Sequence, residues 1–245
     1  MSSIELFQNK TDCCGCSACY NVCPRKAISM QEDEYGYVYP VIDQDKCVGC
    51  GLCRKVCHYQ ADKELRTPIK AYAAAGKKEE FLKKAASGGM FSLVADKILE
   101  EGGVVFGAAM EYHNNTLIPK HIAVESKEEL FKLQGSKYVQ SFIGNTYAEA
   151  KKYLADGRKV LFSGTPCQIE GLKGYLGREY ENLYTIDIIC HGVPNAKWFQ
   201  DYIKVFETKL QGSIYSYNFR DKSRGQGMNA RIEYYDKNGK AKVIY

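Results

Sequence analysis

DCCGCSACYNVCP, residues 12–24, and KCVGCGLCRKVCH, residues 46–58, set the reading of everything around them. Each holds four cysteines spaced C-x2-C-x2-C-x3-C: Cys13, Cys16, Cys19 and Cys23, then Cys47, Cys50, Cys53 and Cys57. This is the bacterial ferredoxin spacing for two four-iron four-sulfur clusters. Three thiolates so close in sequence reach three irons of one cube, while the turns between them aim amide N–H groups at sulfur, and the fourth iron takes a distant cysteine. The expected ligand sets therefore cross over: Cys13, Cys16, Cys19 and Cys57 for one cluster, Cys47, Cys50, Cys53 and Cys23 for the other. Such a module transfers electrons.

Other uses of cysteine fit less well. Structural zinc takes four thiolates, normally as two well-separated C-x2-4-C pairs, not two runs that each end in a three-residue gap. A disulfide framework is disfavoured by an odd count of eleven cysteines and by the first ten residues, MSSIELFQNK, which lack a basic segment followed by an apolar one. Reduced, metal-binding cysteines point to the cytoplasm. Two residues depart from the pattern: Cys14 is an extra thiol inside the first run, and His58 stands where the second run would have proline.

At 245 residues the chain is too long for a small ferredoxin and long enough for a second core. The formal charge of +5 does not argue for nucleic acid, because its lysines are interspersed with acids. Two clusters on eight thiolates would also shift the charge by about −4. The longest apolar stretches, such as VVFGAAM at 104–110, are far short of the roughly 20 residues of a membrane span.

Between the cysteine runs, EYGYVYPVI (34–42) alternates aromatic and β-branched residues and predicts a strand or hairpin. ADKELRTP (61–68) predicts a linker. Beyond it, IKAYAAA (69–75) reads as a strand. A helix opened by Gly88 and Gly89 places Met90, Phe91, Val94, Ile98 and Leu99 on its apolar face. VVFGAAM and LIPKHIAV (117–124) flank a turn at His113-Asn114-Asn115. A second helix is expected from Thr146, with Glu149 completing a capping box. KVLF (159–162), a helix from Pro166, LYTIDII (183–189) and a helix burying Trp198, Phe199, Tyr202, Ile203 and Phe206 follow. This alternation predicts an α/β domain with a mainly parallel sheet after the α+β ferredoxin-like module. The tail from Ile214 reads as β-structure with a turn at Asp236–Gly239.

FSGTPCQ (162–168) is the most informative segment outside the cysteine runs. A buried strand reaches a Ser-Gly-Thr turn, where Thr165 caps a helix, Pro166 suits its first position and Gln168 completes a capping box. Helix N-termini at the carboxyl ends of strands collect anionic and cofactor ligands. CHGVP (190–194) ends the next strand in the same way, so Cys167, Cys190 and His191 fall at one edge of a parallel sheet. The turn Ser87-Gly88-Gly89 also opens a helix. Ordinary turn chemistry accounts for these glycines equally well on local sequence. No Walker A sequence is present, and the single G-x-G-x-x-A match, Gly225 to Ala230, neither follows a strand nor opens a helix.

The cysteine runs, AYAAAG (71–76), ASGGMFS (86–92), QGSKYVQS (134–141), FSGTPCQIEGL (162–172), DIICHGVP (187–194) and NFRDKSRG (218–225), in this order, resemble the coenzyme F420 hydrogenase/dehydrogenase beta-subunit family. The resemblance implies an iron–sulfur flavoprotein with FAD in the α/β domain. Carried over by motif, Ser87, Gly88, Gly89, Lys137, Tyr138, Gly164, Thr165, Pro166 and Cys167 are the flavin-contacting candidates, with Lys137 near the pyrophosphate or the ring. Family members commonly continue past the FRDKS segment, so the α/β domain is expected to be incomplete at its C-terminus.

The expected organisation is a ferredoxin-type domain at 1–66 with two clusters, then an α/β flavin-binding domain at 67–245. One-electron and two-electron chemistry would be coupled between them. Its partner would be an electron-donor or acceptor protein or a small redox cofactor, with a place as a subunit of a larger oxidoreductase also open. Two rivals stand beside this reading: a non-catalytic relay that docks a partner and binds no flavin, and a zinc-bound scaffold.

Overall fold

The computed structural model describes residues 4–60, 67–225, 227 and 229–245. Residues 61–66 of the expected linker, and part of the Gly225–Ala230 match, lie outside them. In chain order the elements are α1 (Ala18–Val22), β1 (Ile28–Glu32), β2 (Val38–Ile42), α2 (Leu52–Lys55), α3 (Glu79–Lys84) and α4 (Met90–Glu100). There follow β3 (Val104–His113), β4 (Thr116–Val124), α5 (Thr146–Ala155), β5 (Val160–Gly164), α6 (Pro166–Leu176) and β6 (Leu183–Asp187). The last four are α7 (Ala196–Leu210), β7 (Gly212–Asn218), β8 (Arg231–Asp236) and β9 (Ala241–Ile244). No helix among the described residues is long and apolar enough to cross a membrane.

The chain divides into two compact units, each discontinuous in sequence. The first joins Met1–Ala71 to Ile143–His191. Here β1 and β2 form an antiparallel ribbon between the cysteine runs, with Ile28 opposite Ile42. Strands β5 and β6 pair in parallel, Val160 opposite Leu183 and Gly164 opposite Asp187. Leu161, Phe162, Ile169, Leu172 and Tyr147 are fully buried, and burial of each such side chain contributes about 1.5–3 kcal/mol. By contrast, the apolar cluster under the cysteine runs centres on Leu6, Ile28 and Cys53. A core that small leans on its neighbours, and α5 and α6 supply them. The Tyr147 hydroxyl donates to the Gln168 carbonyl at 2.7 Å, tying α5 to the first turn of α6.

The second unit joins Tyr72–Phe142 to Gly192–Tyr245. Strands β3 and β4 form a hairpin whose two turn residues, Asn114 and Asn115, both take left-handed φ (49° and 58°). That conformation suits asparagine and matches the right-handed twist of the flanking strands. Strands β7, β8 and β9 form an antiparallel meander, and Asp236 closes its second turn by accepting the Asn238 and Lys240 amides. Helix α7 packs its Phe199 and Ile203 with Leu117, Val139, Ile214 and Ile232.

Several expectations are corrected. The fold is mixed α/β, but β5–β6 is a parallel pair beside antiparallel β1–β2, β3–β4 and β7–β8–β9, so the β-structure is not mainly parallel. Residues 69–75 form no strand; Ile69 is 97% exposed, and an alanine run offers little to pack on a pleated surface. Helix α4 buries Ser92, Ala95, Ile98 and Leu99 while Met90 is exposed, so its inward stripe is rotated from the largest apolar residues toward small ones. Thr146 is the first helical residue of α5, with Asn145 at the cap, and its hydroxyl donates back to the Ile143 carbonyl instead of forming the expected box. Trp198 is 62% exposed and Tyr202 is exposed too, whereas Ala196, Phe199 and Ile203 face inward.

Candidate functional site

Within the first unit, the two cysteine runs adopt the same backbone. Residues flanking the middle cysteine of each run take left-handed φ: Gly15 and Ser17 (65° and 63°), Gly49 and Gly51 (70° and 74°). These reversals turn successive amides inward. Cys13 accepts an N–H from Gly15, Cys16 from Ala18, Cys19 from Tyr20, Cys53 from Arg54, and Cys23 from Ala27 at 3.3 Å. Glycine is the natural residue for such φ, and Ser17 occupies in the first run the position of Gly51 in the second.

Each run delivers its thiols to one cavity and its last cysteine to the other. Cys13, Cys16, Cys19 and Cys57 line one cavity together with Cys14, His58, Leu6, Phe7 and Pro40. Cys47, Cys50, Cys53 and Cys23 line a second with Ile4, Ile28 and Ile42. Burial pushes the Cys13 thiol up to about 11 and raises Cys19 further, with neighbouring thiols adding to the effect. Burial of Cys13 and Cys19 in an apolar cavity disfavours their thiolates unless a cation shares them, which is the chemistry of a metal–thiolate site. The donor set, two groups of four thiols with amide N–H groups at sulfur, fits four-iron four-sulfur clusters.

A further group of donors sits at the first cavity. The Cys14, Cys16 and His58 ligand atoms lie within 4.8 Å of one another. Cys14 interacts with the thiols of both Cys16 and Cys167, and its Sγ is 3.9 Å from His58 Nε2. These two acceptors and burial raise the Cys14 thiol, while Cys16 and Cys167 are lowered chiefly by its S–H. Having one proton to donate, Cys14 favours one of those thiolates at a time. The approach is made possible by α6, whose Gly171 lies so close that a Cβ there would come 3.1 Å from Cys16 Sγ. Cys14 was legible as a surplus thiol and His58 as a departure from pattern; their junction with Cys167 had no local signal.

The FSGTPCQ turn lies at the carboxyl end of β5, as expected. Gln168 Oε1 accepts the Thr165 N–H at 3.0 Å, and the Thr165 hydroxyl is 3.1 Å from Cys167 Sγ. The Gln168 and Ile169 amides both donate to the Thr165 carbonyl, and Pro166 has no N–H to offer. This end of α6 is therefore poorer in anion-binding amides than its sequence implied. Gly164 is buried in β5 opposite Asp187 and does not have a left-handed φ, so its backbone conformation does not itself require glycine.

In the second unit the remaining candidates have identifiable structural duties. A Cβ on Gly88 would come 2.6 Å from the Ala74 carbonyl oxygen, and the Gly76 amide donates to Gly88 at 2.7 Å. Gly89 caps α4 at φ 74°, while Ser87 is exposed. The Lys137 ammonium donates to the Lys132 and Gln134 carbonyls at 3.0 and 2.9 Å, and burial pulls it down to about 7. The Tyr138 hydroxyl accepts from Arg220 Nη1 at 3.2 Å, and its ring meets Phe219 edge-on at 5.7 Å. Two motifs far apart in sequence, QGSKYVQS and NFRDKSRG, thus meet in this unit.

Comparison with known proteins places these features in a family. Residues 12–61 match a 4Fe-4S dicluster domain model, and residues 71–145 and 157–244 match the N-terminal and C-terminal models of the coenzyme F420 hydrogenase/dehydrogenase beta subunit. A coenzyme F420-dependent sulfite reductase of Methanocaldococcus jannaschii is 24% identical over 191 residues, covering 74% of this chain and 28% of that protein. An uncharacterized ferredoxin of the same organism is 33% identical over 55 residues, 22% of this chain and 70% of the ferredoxin. A chain of the F420-reducing NiFe hydrogenase complex of Methanosarcina barkeri superposes with a TM-score of 0.44 at 20% identity, over 74% of this chain and 63% of that one. The chain thus spans about a quarter of the sulfite reductase and under two thirds of the hydrogenase chain.

Proposed function

The chain belongs to the coenzyme F420 hydrogenase/dehydrogenase beta-subunit family, with an N-terminal ferredoxin-type domain, and from that footing we propose that it is an iron–sulfur flavoprotein oxidoreductase subunit. The observation that carries this reading is the pair of cavities, each lined by three cysteines of one run and the last cysteine of the other. Cys13, Cys16, Cys19 and Cys57 would hold one cluster, and Cys47, Cys50, Cys53 and Cys23 the second. When bound, the clusters supply one-electron transfer and a flavin, FAD in this reading, supplies two-electron hydride chemistry. The functional division at 1–66 and 67–245 accords with the matched spans, which break between 61 and 71.

The protein's own contribution is positional. Amides of Gly15, Ala18, Tyr20 and Arg54 place N–H dipoles at the thiols, and Leu6, Phe7, Ile28 and Ile42 give the cavities apolar walls. Both effects tune the potential of a bound centre. Gly164, Thr165, Pro166 and Cys167 form the flavin-contacting turn in this proposal, suited to the edge of a planar ring more than to a phosphate. Ser87, Gly88, Gly89, Lys137 and Tyr138 remain flavin candidates on their motifs; Lys137 would offer a positive charge. The partner is proposed to be an electron-donor or acceptor protein or a small redox cofactor, within a larger oxidoreductase.

A second reading, a relay subunit without its own flavin, is favoured by the amides already spent at the start of α6. Gly164→Val separates the two. If the turn holds flavin, the variant is a folded protein with wild-type iron and little flavin, because valine suits a strand and the cysteine cavities are untouched. Unchanged flavin content would remove the turn from the site, and flavin absent from the wild type would support the relay.

A further inference from the structure

We propose that Cys14 and Cys167 form a redox-active dithiol beside the cavity of Cys13, Cys16, Cys19 and Cys57, closed to a disulfide by exchange with a small-molecule disulfide. Neither thiol belongs to the repeated C-x2-C-x2-C-x3-C register, so both stand outside the proposed cluster ligands. They come from segments far apart in sequence and meet within the first unit, where their side chains interact directly. Cys167 lies in the first turn of α6, with the Thr165 hydroxyl 3.1 Å from its Sγ. Cys14 has His58 Nε2 3.9 Å from its Sγ, and His58 Nδ1 is buried with no hydrogen-bond partner among the described residues.

The scaffold keeps the two thiols in register. Helix α6 is tied to α5 by the Tyr147 hydroxyl and approaches the cysteine runs through Gly171 and Gly174, where a Cβ would crowd Cys16 and the Val56 carbonyl. Both cysteines are half-buried, which leaves a path for a small disulfide. A role as apolar filler, the ordinary fate of a buried cysteine, accords poorly with a hydroxyl, an imidazole and a second thiol as neighbours.

The chemistry balances as two exchange steps. The Cys167 thiolate attacks the external disulfide, forming a mixed disulfide and releasing one thiolate. Cys14 attacks Cys167 Sγ; the new S–S bond forms, the mixed disulfide breaks, and the second thiolate leaves with the Cys14 proton. Two electrons pass from the protein thiols to the external disulfide, which ends as one thiolate and one thiol.

The proposal rests on the cluster assignment for its location, and one experiment reads the two separately. Anaerobically prepared holoprotein is incubated with oxidised glutathione, alkylated, digested without reduction and analysed by mass spectrometry, with iron measured on the same sample. The expected result is a peptide joining Cys14 to Cys167 and the loss of about two alkylatable thiols, with iron retained. Cys14→Ser should stop at a Cys167–glutathione mixed disulfide, and Cys167→Ser should give no joined peptide. Undiminished alkylation of Cys167 in the wild type, or a joined peptide found only in iron-depleted protein, overturns the proposal. Iron content alone scores the cluster ligands, whatever the thiols do.

Discussion

Replacing Cys19 by alanine is expected to lower the iron of anaerobically reconstituted protein from about eight to about four per chain, the loss of one cluster of two. Cys19 shares its cavity with Cys13, Cys16 and Cys57, and its thiol is raised by partial burial and then by the same neighbours. Three thiolates cannot complete a four-cysteine set, and the Cys47, Cys50, Cys53 and Cys23 cavity is lined by other residues. Cys14→Ala is the matched control and should keep about eight irons, because Cys14 lies outside the register. Loss of a cluster in Cys14→Ala, with Cys19→Ala unaffected, would mean that the register is shifted. Cys57→Ala extends the test to the crossover: it should empty the cavity of the first run, not of its own.

The second large effect is expected at Gly174, where α6 meets the second cysteine run. A Cβ there would overlap the Val56 carbonyl, one residue before Cys57, and a backbone oxygen cannot rotate away as a side chain would. Gly174→Val should cost about 3 kcal/mol as overpacking. In a chain of this length that corresponds to a fall in Tm of about 6–12 °C. Iron should fall with it, since displacing Val56 displaces Cys57. Gly174→Ala identifies the cause by sign. Helix propensity alone predicts a gain of about 1 kcal/mol over glycine. The close approach predicts a loss, so a more stable Gly174→Ala would show that α6 is not packed as described.

The parts of the fold that follow from local chemistry were open in the sequence. Cysteine spacing requires turns of one kind, and the structure repeats them at Gly15, Ser17, Gly49 and Gly51. Asn114-Asn115 and Asp236–Gly239 close their hairpins because short polar side chains tolerate or bridge the reversals. Gln168 finds the Thr165 amide because both lie within one helical turn.

What the sequence concealed depends on neighbours. Trp198 reads as core by hydrophobicity, yet the stripe of α7 that meets β4 and β7 is set by Ala196, Phe199 and Ile203, and Trp198 falls outside it. In α4, small residues Ser92 and Ala95 face inward because the closeness of packing, not side-chain size, selects the buried face. The alternation of strands and helices implied a mainly parallel sheet, but the hairpins that the turn residues did announce, β3–β4 and β8–β9, make much of the β-structure antiparallel. The candidate site shows the same limit. The cysteine sets were readable as sets, while the placement of Cys167 against Cys14 depends on α5 and α6 returning from far along the chain.

The most direct test of the central claim is quantitation of iron, acid-labile sulfide, zinc and flavin in one anaerobic preparation of the wild-type protein. The account predicts about eight irons with matching sulfide, no stoichiometric zinc, and flavin released on denaturation. Zinc without labile sulfide, or about four irons with no flavin, would contradict it.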